Sequence, residues 1–277
     1  MTFEHDGFAG VGWDGHLLLL HESQAERQSR LAMWVRRGLE RDEQVVYGQD
    51  DAVGSQPSVL AVLDQQGIDV DAATAEGRLL VMSLAAVYGA GFDGQLRHLE
   101  RALTQGYRGV RTSGEASAAP TGSPEDVYPG LAGSLERAHR THQVSALCQY
   151  DRAPMAGNQL DHAAARHAGG IRERQLQTAR SDDGLIVAGE VDCSNEHLLL
   201  SAVQAATSTT ESEFSLDLRR VAFLDLSGCR ALAIGTRQFR EQGGRLMLLI
   251  SGGITGRVVG MVGLDALPNV EIVGSTR

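Results

Sequence analysis

Ser227 lies in the run Phe223-Leu224-Asp225-Leu226-Ser227-Gly228, where an apolar stretch gives way to a helical pattern. A hydroxyl at such a junction sits at or beside the N-cap of the following helix. The helix N-terminus gathers free N–H groups and tolerates an anion, and a phosphate adds about −1.5 to −2 charges to the surface. The competing reading is a plain helix cap, since serine is favoured at that position in any protein. Glu190 and Asp192 bring two carboxylates close together in an extended run, and turn and surface roles account for both. Arg108, Arg111 and Glu115 lie after a strand and before an expected loop, a reasonable place for ligand contacts. The planar fork of Arg111 suits an anionic ligand, or equally a surface ion pair. His16, Cys148, His162 and His167 could ligate a metal or heme if the fold gathered them. The one local spacing, His162 to His167, does not stack two side chains on a helix face as a four-residue step would. No metal and no cofactor is expected.

The residue inventory excludes several chemistries. All 25 basic residues are arginine and none is lysine. A phosphate loop needs a lysine ammonium, and Schiff-base catalysis needs a lysine amine. No GxxxxGK[ST], GxSxG or HExxH run occurs, and an enzyme is not expected. Net charge is −10 and both halves are acidic, which disfavours the phosphate backbone of nucleic acids. Cys148, Cys193 and Cys229 form no CxxC pair, so neither a zinc ribbon nor a disulfide framework is indicated. Cys193 and Cys229 are expected to be small core or surface residues without redox function. The acidic, glycine-rich N-terminus is unlike a signal peptide. Aliphatic runs such as Leu17 to Leu20 fall far short of the roughly 20 residues of a membrane span. The expectation is a cytoplasmic protein that uses neither membrane nor nucleic acid.

The elements that position these residues follow from periodicity. His16 to Leu20 is a buried strand, and Ser23 with Glu26 forms a capping box for a helix carrying Leu31, Trp34, Val35 and Leu39 on one face. Further strands are expected at 44–48, 78–84, 109–113 and 144–150. Helices are expected around Val59 to Leu63, along Phe92, Leu96, Leu99 and Leu103, after Ser123-Pro124-Glu125-Asp126, and from Gln159 to His167. Strands alternating with helices give a three-layer, mainly parallel α/β sheet, with binding expected beyond the carboxyl ends of strands, near His21, Asp50, Leu84, Ser113 and Tyr150-Asp151.

The pattern changes near Gly169-Gly170. Two extended runs flank Asp182-Asp183-Gly184, a hairpin signal. A helix at 197–206, a strand pair at 214–218 and 221–224, a helix from Ser227 to Gln242, a strand at 245–250, a short helix at 255–262 and a strand at 270–273 follow. A chain of 277 residues suits two domains.

Three segments of the C-terminal part carry a resemblance: Leu185 to Asp192, Phe223 to Gly228, and Gly243 to Leu248. Together they resemble the STAS family over residues 172–275, with a GELD-like element, an hhDSSG-like loop opening a helix, and a strand after a glycine break. The resemblance implies an α/β sandwich of the anti-sigma-factor-antagonist kind, which docks an anti-sigma factor or serine kinase. It places the phosphorylation switch at Ser227 and partner contacts at Asp225, Leu226, Gly228 and Asp192. Leu226 departs from the family pattern, standing where the first serine of the pair usually is, and leaves the acceptor position intact.

Residues 14–168 resemble the MEDS sensory family on His16 to Leu20, Gly38-Leu39, Glu43 to Tyr47, Gly106 to Arg111 with Gly114-Glu115, and Ala146 to Asp151. This resemblance implies a RecA/KaiC-like core without a phosphate loop, acting as a sensor of a small-molecule ligand. His16, Arg108, Arg111, Glu115 and Cys148 are the candidate ligand contacts. The combined expectation is a signalling regulator whose sensor half controls a docking half, with homo-oligomers allowed. The alternatives are an unphosphorylated docking or scaffold protein of a stressosome-like assembly, and a nucleotide-using RecA-like enzyme.

Overall fold

The computed structural model describes residues 15–49, 59–83, 86–87, 91–115, 143–155, 157–167, 169–210 and 212–274. The helix start expected at Ser123 and the strand ends at Asp50 and Leu84 lie outside the described residues. The chain divides into two compact units, with the break in packing at Pro154–Met155.

The N-terminal unit contains β1 (His16–His21), α1 (Gln24–Glu40), β2 (Glu43–Gln49), α2 (Val59–Gln65), α3 (Val70–Ala75), β3 (Leu79–Ser83), α4 (Gly91–Thr104), β4 (Gly109–Glu115) and β5 (Val144–Asp151). Its strands pair in the order β1-β5-β4-β2-β3, all parallel. Alternation along each strand sends side chains to two faces. Leu17, Leu19, Val45, Tyr47, Leu79 and Leu147 pack with Leu31, Trp34 and Val35 of α1 and with α2 and α3. Val46, Val110, Val144 and Ala146 meet Leu99 and Ala102 of α4 on the other face. Both faces of the parallel sheet thus receive helices, which gives the expected three layers. The leucine stripe expected on α4 turns out shifted: Leu99 and Ala102 are buried, whereas Leu103 is 41% exposed.

The C-terminal unit contains α5 (Gly157–Arg166), β6 (Gly170–Arg172), β7 (Leu176–Ser181), β8 (Gly184–Val191), α6 (Glu196–Thr207), β9 (Glu213–Leu224), α7 (Leu226–Gly235), α8 (Arg237–Glu241), β10 (Arg245–Ile250), α9 (Gly253–Val262) and β11 (Val270–Gly274). The strand order is β11-β10-β9-β8-β7-β6. β7 and β8 form the expected antiparallel hairpin, and β8, β9, β10 and β11 run parallel. Alternation in β10 buries Leu246, Leu248 and Ile250 against the helices.

Two expectations fail here for identifiable reasons. The strand pair at 214–218 and 221–224 is one strand, β9, because Arg219-Arg220 is not a turn. Opposite β8 the register advances from Asp217 to Arg220 while β8 advances from Ile186 to Ala188, an extra residue absorbed as a bulge. Arg219 folds back on Asp217, donating its backbone N–H at 3.0 Å and its Nε at 2.9 Å. That pairing holds the Asp217 carboxyl below its ordinary pKa against the opposing effect of burial. The long helix from Ser227 is likewise interrupted at Thr236, whose hydroxyl donates to the Leu232 carbonyl at 2.8 Å and accepts from Arg240 Nε.

Candidate functional site

The turn between β9 and α7 is built by Asp225. It sits at the N-cap in extended conformation, and its Oδ1 accepts from the Gly228 N–H at 2.8 Å. The Asp225 N–H donates to the Val191 carbonyl at the end of β8, so the β8 and β9 termini are tied side by side. Asp192 closes the neighbouring β8–α6 turn. Its Oδ1 accepts from both the N–H and the hydroxyl of Ser194, and these bonds hold its carboxyl below the usual range. Asn195 clamps the same turn through Asp192 N–H and the Glu190 carbonyl. The structure therefore brings Asp192, Asp225, Leu226, Ser227 and Gly228 onto two adjacent strand-to-helix turns. Gly228 is required there by space: a Cβ would stand 2.5 Å from Leu224 Cδ1 and 2.8 Å from Val191 Cγ1.

Asp225 makes the cap, and Ser227 is the second helical residue. The hydroxyl of Ser227 is outside the capping bond, and its side chain is half-buried beside Leu226, which is 67% exposed. Directly behind, Cys229 is buried, and desolvation together with the Asp225 carboxylate pushes its thiol up to about 11. A thiol so protonated is a packing group at neutral pH.

The ligand contacts expected in the N-terminal unit separate. Arg108 is exposed at the amino end of β4, Arg111 lies within the strand, and Glu115 ends it. Seven residues of strand put Arg108 and Glu115 roughly 20 Å apart, too far for one small ligand. Arg111 is neither a surface ion pair nor an open anion fork. It is fully buried, its Nε donates to Glu43 Oε2 at 2.5 Å, and its guanidinium lies 4.0 Å from the Trp34 ring centroid. Gly38 makes room for it, since a Cβ there would meet Arg111 Cδ at 2.9 Å. Arg111 Nε and Nη2 are engaged in a buried ion pair with Glu43 that joins β4, β2 and α1. His16 and Cys148 do come together, with Nε2 3.3 Å from Sγ, both buried. His162 is exposed, whereas His167 is buried with Nδ1 2.6 Å from the Ala163 carbonyl.

At the carboxyl ends of β4 and β5, side chains bond to one another and to α1. Gln149 donates to Ser113 Oγ at 2.8 Å and accepts from Arg27 Nη1 at 3.2 Å, and Ser113 donates to the Leu147 carbonyl. Only Glu22 and Ser23 separate β1 from α1. Ser23 accepts from the Glu26 N–H, and the Glu26 carboxylate accepts from the Glu22 N–H, so this helix N-terminus is closed by the chain's own groups.

Sequence reasoning missed His98 and Arg101 on α4. Both line a cavity against the sheet together with Val46, Met82 and Val110. The available signal was their three-residue spacing, which puts the two on one side of the helix beside the leucine stripe.

Family comparisons agree with the two-part division. The model described as MEDS, the methanogen/methylotroph DcmR sensory domain, matches residues 15–168, and that described as the Mlab STAS domain matches residues 175–271. The first match includes α5, which packs with the C-terminal unit. No curated protein matches the chain. Among solved structures, the RadB recombinase is similar at 15% identity and a TM-score of 0.35, covering 63% of this chain and 84% of that one, a likeness too low to bear on activity. With more than half of its length matched by the sensory model, the chain belongs to the MEDS family and carries a STAS domain behind it.

Proposed function

We propose that the protein is a signalling regulator in which the sensory unit controls docking of the STAS unit to an anti-sigma factor or serine kinase of the partner-switching type, with Ser227 as the phosphorylated switch. MEDS and STAS domains are regulatory modules. The observation that carries the reading is the division of labour at the β9–α7 turn: Asp225 caps the helix, and Ser227 is left for another role. Leu226 supplies an apolar contact at the same point. A phosphate on Ser227 turns this apolar spot into a dianionic one beside Asp225, opposing docking by charge and desolvation. The first turn of α7 tolerates the added charge, so the fold survives the switch.

Regulation by the sensory unit is a population shift, in which a signal binds two states unequally. A non-enzymatic role is supported by the closed β1–α1 turn and the absence of lysine. Among the described residues no helix is long and apolar enough to cross a membrane, in keeping with a cytoplasmic site of action. The test is intact-mass and peptide analysis after incubation with ATP and the cognate kinase. One added phosphate is expected on the wild type and none on Ser227→Ala. Absence of phosphate on both would leave an unphosphorylated docking module.

A further inference from the structure

The face of the N-terminal sheet covered by α4 is incompletely filled. A cavity of about 110 Å³ remains between α4 and strands β2 to β5. Its walls are mostly apolar, with Val46, Val87, Val110 and Val144 among them, and among the described residues His98 and Arg101 are the ionisable side chains that line it. His98 Nε2 is buried and has no hydrogen-bond partner among the described residues, a costly arrangement unless something else supplies one, and Thr112 adds a hydroxyl to the same lining. Arg101 makes no ion pair with a described residue; its Nε donates to the Arg97 carbonyl at 3.3 Å. Burial and the Arg101 charge both depress the His98 pKa, so the imidazole is neutral and presents one donor and one acceptor.

We propose that this cavity is the signal site of the sensory unit and takes a short-chain monocarboxylate. Its tail lies on the valines, and its head accepts from His98 and pairs with Arg101. The size follows from comparison with an apolar cavity of about 150 Å³ that holds benzene, which scales to a tail of roughly four carbons here. The charge follows from the lining: one guanidinium beside a neutral imidazole balances a monoanion, whereas a phosphate dianion would leave its second charge unpaired among the described lining residues. The site rests on the sensor reading of this unit, and it makes no use of Ser227 or of a docking partner.

Calorimetric titration of the full chain with pentanoate, pentanamide and decanoate tests it. Pentanoate is expected to bind at one site per chain, with pentanamide at least about tenfold weaker and decanoate weaker still. Arg101→Gln, an exposed substitution that spares the core, is expected to cost a similar factor. His98 should respond as well: its imidazole signal in NMR titrates at higher pH once the carboxylate is bound, because an adjacent anion favours the charged ring. Equal affinity for pentanoate and pentanamide, an unchanged affinity in Arg101→Gln, or no pentanoate binding at millimolar concentration would each overturn the proposal. Pentanoate binding in a chain that is never phosphorylated at Ser227 would sink the switch and leave this site standing.

Discussion

The turns that open α1 and α7 have the same plan, a parallel strand ending in a capped helix, and opposite outcomes. At α1 the cap and its return bond both come from the turn itself: Ser23 holds the Glu26 N–H, and Glu26 holds the Glu22 N–H. At α7 a carboxylate caps, and the serine two residues on is left out of the bond. The sensory unit carries this closure into its interior, where Arg111 and Glu43 neutralise each other behind Gly38. The STAS unit places comparable chemistry at a surface, next to an exposed leucine. Which residue makes the cap thus decides whether the serine of such a turn is engaged in the capping bond or left outside it.

Breaking the closed side should have the largest effect. Glu43→Ala removes the carboxylate that Arg111 pairs with in a buried site, with an expected loss of about 3–5 kcal/mol in chemical denaturation. A loss below about 1 kcal/mol would mean that the pair is not the support it is described as. On the open side, Gly228→Val drives side-chain atoms into Leu224 and Val191, and an expected cost of about 1–3 kcal/mol would appear as a lowered midpoint. Ser23→Ala and Asp225→Ala each remove one cap and should lose about 1 kcal/mol. Ser227→Ala should change stability by no more than about 0.5 kcal/mol, and this contrast with Asp225→Ala tests the assignment of the cap. Thiol labelling gives the mildest check: at pH 7 only Cys193 of the three cysteines should react rapidly in the native chain, since Cys148 and Cys229 are buried. For Cys229, burial raises the folded pKa, so the folded state holds its proton more firmly. Any stability linked to this thiol is complete below pH 9 and falls as pH rises toward about 11.

Sequence was informative where local signals and global packing agreed. The capping box at Ser23, the apolar runs of β1 and β5, and the Asp182-Asp183 hairpin could be read directly because each depends on near neighbours. The division of roles between Asp225 and Ser227 could not, since both residues are good caps and only backbone geometry separates them. Arg111 reads as a surface charge because its partner Glu43 stands 68 positions away in the chain. Arg219-Arg220 reads as an interruption of β9 because a bulge leaves no glycine or asparagine to mark it. His98 and Arg101 were hidden in a helix whose leucines explained it without them.

The two-residue connection from β1 to α1 sets a boundary on what point substitution can make of this turn. A phosphate loop occupies about eight residues between strand and helix. Introducing a lysine there by point substitution would place an ammonium at a turn whose N–H groups are already held by Ser23 and Glu26. A phosphate loop at this turn would take an insertion that reopens the α1 cap, a change in chain length that no series of single substitutions provides.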